Sequence, residues 1–144
     1  MQLRPYQHKA IDALYAWLQV NAGNPCVVAP TGSGKSLLIA QNCKDVVEAG
    51  GRALVLAHVK ELLEQNASKI RTLCPGLNVG IYSAGLKSRN TTAQVIVAGI
   101  GSVYKRACEL DAFDIIIIDE AHRLSPDDST MYRRFINDAR VVNP

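Results

Sequence analysis

Residues 27–36 read VVAPTGSGKS. Two β-branched residues lead into Pro30, small residues follow, and Lys35-Ser36 opens an apolar, helix-like segment. A loop that cradles phosphate needs small residues, so that backbone N–H groups can close around oxygen atoms. It also needs a helix N-terminus facing the negative charge and a cation that reaches the outer phosphates. Residues 27–29 supply a strand, Thr31, Gly32, Ser33 and Gly34 the loop, Lys35 the cation, and Ser36 a hydroxyl suited to Mg2+. The general pattern is GxxxxGK[ST], with Ala29 standing where its first glycine would be. The alternative is a plain strand-to-helix turn that ends in Lys-Ser. The strand–loop–helix setting favours the cradle.

That setting repeats along the chain. Short apolar runs at 25–29, 52–57, 78–82, 94–98 and 114–118, rich in Val, Ile and Leu, predict strands. Several are apolar at nearly every position, as in parallel strands covered on both faces. Helical patterns lie between them at 36–49, stopped by Gly50-Gly51, and at 60–73. A leading helix starts at Pro5 and lines Ala10, Ala13, Leu14, Trp17 and Leu18 along one stripe, and a last helix is expected over 129–139. Strand–helix alternation predicts one α/β domain over residues 1–144, three layers around a mainly parallel central sheet.

A phosphate cradle needs a partner carboxylate for magnesium, and FDIIIIDEAH at 113–122 offers one. Four consecutive isoleucines predict a strand buried on both faces, with Asp119-Glu120 at its C-terminal end, where ligands gather in open α/β sheets. Asp119 suits the metal and Glu120 the polarisation of an attacking water. Taken alone, the run is a strand that ends in solvated acids; with the cradle upstream, the metal-and-water reading prevails.

APTGSGKS and DEAH together resemble motifs I and II of the superfamily 2 helicases, the DExH-box group, whose own pattern AxxGxGK[ST] accommodates Ala29. LRPYQ, LVLAHVKELLEQN and SAGLKS are similar to segments of the bacterial RadD-type DNA-repair helicases, so the resemblance runs from Leu3 to the end of the chain. It implies the first RecA-like P-loop NTPase domain of an ATP-driven helicase or translocase acting on DNA, in repair or recombination, with ATP and Mg2+ as cofactors. Its catalytic residues would be Lys35, Asp119 and Glu120, and Ser36 and Asp119 would hold the metal. RPYQ resembles the Q motif, in which Gln7 pairs with the adenine edge through one donor and one acceptor, with Arg4 or Tyr6 against the base. The other reading of that segment is an amphipathic helix with an exposed Gln7.

AHVKELLEQ resembles motif Ia, which assigns His58 and Lys60 to the nucleic-acid backbone. Lysine brings a point charge where the related pattern has the arginine fork. Solvated charge at a helix start explains the same residues equally well. The loop of Gly85 and motif Ib, with Gly99, Gly101 and Ser102, would let a backbone approach phosphates, Ser102 capping a short helix that follows. Turn chemistry accounts for these as well. His122 would relay the nucleotide state. The resemblance also implies a second RecA-like domain, absent from this chain, as the partner that closes the site.

Composition narrows the classes further. The net charge of +3 permits nucleic-acid contact without arguing for it. Four cysteines, Cys26, Cys43, Cys74 and Cys108, form no CxxC pair, which disfavours zinc and fits reduced thiols in a cytoplasmic protein. No apolar run approaches the length of a membrane span and no secretory leader is visible, so no membrane role is expected. The competing functions are a nucleotide-dependent DNA or protein clamp that does not unwind, and a small P-loop kinase. The second is disfavoured because DEAH supplies a water-activating carboxylate in place of an acceptor pocket.

Overall fold

The computed structural model describes residues 5–20, 35–57, 60–83, 88–89, 92–103, 113–119 and 134–136. Their elements run α1 (Pro5–Val20), α2 (Lys35–Glu48), β1 (Ala53–Ala57), α3 (Lys60–Leu73), β2 (Val79–Ser83), β3 (Ser88–Arg89), β4 (Val95–Gly99), α4 (Ile100–Val103) and β5 (Ile115–Ile118). The sheet has the order β3-β2-β4-β1-β5. β1 pairs in parallel with β4 and β5, and β4 with β2; only the short β3 is antiparallel, against β2. The predicted strand at 25–29 lies outside the described residues, and of the predicted helix 129–139 only 134–136 are described, as helix.

Alternation along the strands builds two cores. Ala53, Val55 and Ala57 of β1 face a cluster with Ile39, Ala40 and Cys43 of α2 and Leu63, Ala67 and Ile70 of α3. Leu54 and Leu56 face the other side, with Ile100 and Val103 of α4, Phe113 and Phe135. Every residue of β1 is buried, as expected for a central parallel strand clothed on both faces. β5 departs from that expectation: its four isoleucines are each half-buried, and among the described strands β5 pairs with β1.

The α2 stop is built as the glycine pair predicts. Gly50 adopts φ +87°, its N–H donates to Val47 O, and the Gly51 N–H donates to Val46 O at 2.9 Å, which closes a Schellman cap. The chain turns directly into β1. There the Arg52 N–H donates to Asp114 Oδ2 at 2.8 Å and the Asp114 N–H to Arg52 O at 2.9 Å. The Arg52 guanidinium lies 4.5 Å from the Phe113 ring centre, so the entry of β5 is tied to that of β1.

The leading helix is placed differently from its predicted stripe. Gln7 and Ile11 are its buried residues, whereas Trp17 and Leu18 remain 37% and 40% exposed and Ala13 is exposed. α1 meets α2 at Tyr15, and the buried Gln7 and Ile11 lie on the same face of the helix at helical spacing. Two members of that face are polar, so a count of apolar positions points elsewhere. The Tyr15 hydroxyl donates to Asp45 Oδ2 at 2.7 Å and lies 3.0 Å from Asn42 Oδ1, and Gln41 Nε2 donates to Asp45 Oδ1 at 2.6 Å. Burial, reinforced by the Asp45 carboxylate, raises the Tyr15 phenol above its ordinary range, so it stays a donor. Among the described residues no helix is long and apolar enough to cross a membrane.

Candidate nucleotide-binding site

Lys35 is the first residue of α2, with Ser36 next in the same turn. Asp119 follows directly on β5, and its N–H donates to Leu56 O at 3.0 Å, which continues the β1–β5 ladder by one more bond. The carboxylate therefore leaves the sheet at the C-terminal ends of parallel strands and meets the start of α2. Lys35 Nζ lies 3.3 Å from Asp119 Oδ1, with the lysine side chain 40% exposed and the aspartate side chain 5%. A charge that deeply held needs partners. Oδ2 has one in Asn66, whose Nδ2 donates to it at 3.0 Å. Oδ1 is buried and, among the described residues, accepts no hydrogen bond, with Lys35 Nζ at ion-pair distance from it.

That orphaned oxygen tests the fit of a metal. A carboxylate oxygen with an unused lone pair, beside a lysine at a helix N-terminus, is a donor suited to a hard divalent cation accompanying a phosphate chain. The residues present fit the group.

Gln7 is 2% exposed, which removes the reading of an exposed glutamine on a solvated helix face. Tyr6 beside it is 46% exposed. Lys60 is the first residue of α3, just past the C-terminal end of β1. Gly101 and Ser102 lie in α4, at the C-terminal end of β4. The α4 turn begins at Ile100, so Ser102 is inside the helix it was expected to cap, and Gly99 takes the position before the first turn. A Cβ on Gly99 would meet Leu63 Cδ1 at 3.3 Å and lie 3.9 Å from Ser83 Oγ, which keeps this corner tight. Lys35, Asp119, Lys60, Gly101 and Ser102 thus share the strand-end edge of the sheet. Arg4, Thr31, Gly32, Ser33, Gly34, His58, Gly85, Glu120 and His122 lie outside the described residues.

Asn66 is the site residue that motif reading passes over. Leu63, Asn66, Ala67 and Ile70 are all buried and follow helical spacing, so a polar residue occupies the core stripe of α3. An amide on such a stripe signals a buried partner. Here the partner is Asp119.

The sequence matches the family described as type III restriction enzyme, res subunit, over residues 1–141. It is 30% identical over 129 residues to the Saccharomyces cerevisiae protein named "Putative ATP-dependent helicase IRC3", covering 83% of this chain and 19% of that protein. It is 27% identical over 103 residues to the Treponema pallidum ATP-dependent DNA helicase RecG, covering 64% of this chain and 15% of that one. The chain therefore spans about a fifth or less of these relatives' lengths. Its fold is similar to the Sulfolobus solfataricus SWI2/SNF2 ATPase core solved in complex with dsDNA, with TM-score 0.74, 20% identity, and 93% of this chain and 29% of that chain covered. The UvsW helicase of bacteriophage T4 is also similar, with TM-score 0.69, 18% identity, and 96% and 50% covered.

Proposed function

Since this chain belongs to the family of type III restriction enzyme res subunits and is built as a superfamily 2 RecA-like motor domain, we propose that it is the ATP-binding half of a DNA-dependent motor. The observation that carries the proposal is the approach of Lys35 to a buried Asp119 whose Oδ1 accepts no hydrogen bond among the described residues. In this reading Thr31 to Ser36 wrap the phosphates, and Lys35 turns from Asp119 to the outer phosphates. Ser36 and Asp119 hold Mg2+, which when bound neutralises charge on the phosphate oxygens. Glu120 orients the attacking water. Gln7 offers one donor and one acceptor to adenine, and its burial supports a fixed amide.

The relatives named for DNA helicase activity support DNA as the partner. His58, Lys60, Gly85, Gly101 and Ser102 would follow its backbone, a sequence-independent and salt-sensitive contact. His122 links the nucleotide site to its neighbours. A second RecA-like domain completes the cleft, and repair or recombination is the setting that suits such a motor.

The test is a Glu120→Gln substitution assayed in a protein that carries both motor domains. ATP should bind and persist while single-stranded DNA no longer stimulates turnover. Normal turnover would remove Glu120 from the water-directing role. Wild-type turnover indifferent to DNA would favour a clamp over a motor.

A further inference from the structure

The two oxygens of Asp119 have different fates. Oδ2 accepts the Asn66 amide at 3.0 Å, and Oδ1 is left toward Lys35 with no hydrogen bond among the described residues. A carboxylate is free to turn about its Cβ–Cγ bond and exchange its oxygens, and a directed donor on one of them removes that freedom. The donor is neutral. An ammonium or guanidinium in its place would compete with a bound cation, whereas an amide orients the acid and leaves its charge available. Asn66 is itself held: it is 5% exposed, between Leu63 and Ala67 at 2% and 1%, on a helix packed against the sheet. Asp119 is held from the other side by its backbone bond to Leu56. Two rigid elements, α3 and β5, therefore define the direction of Oδ1.

We infer that Asn66 is a positioning residue for the divalent cation of the nucleotide: it fixes the Asp119 carboxylate so that Oδ1 faces the metal. The inference rests on the reading of Asp119 as a metal ligand given above. A purely structural Asn66, present to satisfy a buried acid, predicts a loss of stability and no change in metal binding by the folded protein.

Mn2+ is the probe, with free ion counted by electron paramagnetic resonance in the presence of a non-hydrolysable ATP analogue. Asn66→Leu keeps the volume without the donor, and Asn66→Ser is a milder change. Both should weaken Mn2+ affinity by about 10–100-fold, the usual effect of removing a group that orients a metal ligand. Analogue binding in EDTA, which depends on Lys35 and the loop, should be unchanged. If folded Asn66→Leu protein binds Mn2+ as wild type does, the inference falls while the nucleotide site stands. If the wild type binds no Mn2+ with the analogue, the metal reading of Asp119 falls and takes this inference with it. The wild type supplies a readout free of folding defects. The Asn66 side-chain amide resonance, its nitrogen 3.0 Å from the carboxylate, should broaden on adding Mn2+ with the analogue. An amide signal that stays sharp under saturating Mn2+ overturns the proposal.

Discussion

Gly101 separates two explanations of the glycine-containing turns at the strand ends. A Cβ there would meet no atom among the described residues within 4 Å, and the position carries no positive φ. Nothing among the described residues requires glycine, so alanine should stabilise the α4 turn by about 0.5–1 kcal/mol through helix propensity. If the open space admits a nucleic-acid backbone, Gly101→Ala should also weaken single-stranded DNA binding. Melting curves and fluorescence anisotropy read the two effects, and unchanged DNA affinity would return Gly101 to ordinary turn chemistry. A second test concerns Cys43, whose thiol burial, and then the Cys74 thiolate, push up to about 12 from an ordinary 9.0. Between those values the unfolded thiol has lost its proton and the folded one keeps it. Stability present below pH about 9 is therefore lost as pH rises toward about 12, at about 1.4 kcal/mol per pH unit. Urea unfolding in that window should show a shallower decline for Cys43→Ala than for wild type; parallel declines would mean that Cys43 does not set it. Lys35 and Asp119, which the structure brings to 3.3 Å of each other, could be proposed from the sequence because motif chemistry is local. Asn66 could not, since its partner is 53 positions away and the polar residue on the α3 stripe says only that a partner exists.

Among elements, the four predicted strands that fall in described residues agree closely with their apolar runs, and α3 covers the predicted 60–73 as Lys60–Leu73. Those runs are legible because burial on both faces leaves no polar positions to blur the pattern. The face of α1 was illegible because Gln7 is buried on it and the Tyr15 hydroxyl makes its contact with α2, and polar groups leave no mark on hydrophobic periodicity. β3 was missed for another reason. Ser88–Arg89 makes two cross-strand pairs with β2 and carries no alternating pattern of its own. The end of α2 can be tested directly. Gly50 sits at φ +87° with open space where a Cβ would go, so Gly50→Ala meets backbone strain and no clash. The cost should be about 1–2 kcal/mol by denaturant unfolding. A neutral effect would mean that the turn relaxes and that the Schellman cap does not fix the entry to β1.

For the whole molecule, the sheet collects the proposed functions at one edge. The C-terminal ends of β1, β4 and β5 carry Lys60, Gly101 with Ser102, and Asp119, and α2 brings Lys35 to Asp119. A motor can couple DNA to nucleotide through such an edge, because both ligands would load the same parallel strands. In the proposed reading the chain would supply one wall of the site, and a second domain would bring the arginine that related P-loop enzymes use for a rate gain of about 10³–10⁵. Binding should therefore be intact here and hydrolysis slight. The most direct measurement is calorimetric titration of the 144-residue chain with ATP and Mg2+, beside Lys35→Ala. The account predicts saturable, magnesium-dependent binding by the wild type and none by Lys35→Ala folded to the same circular-dichroism spectrum. Equal binding by the two, or none by the wild type, would contradict it.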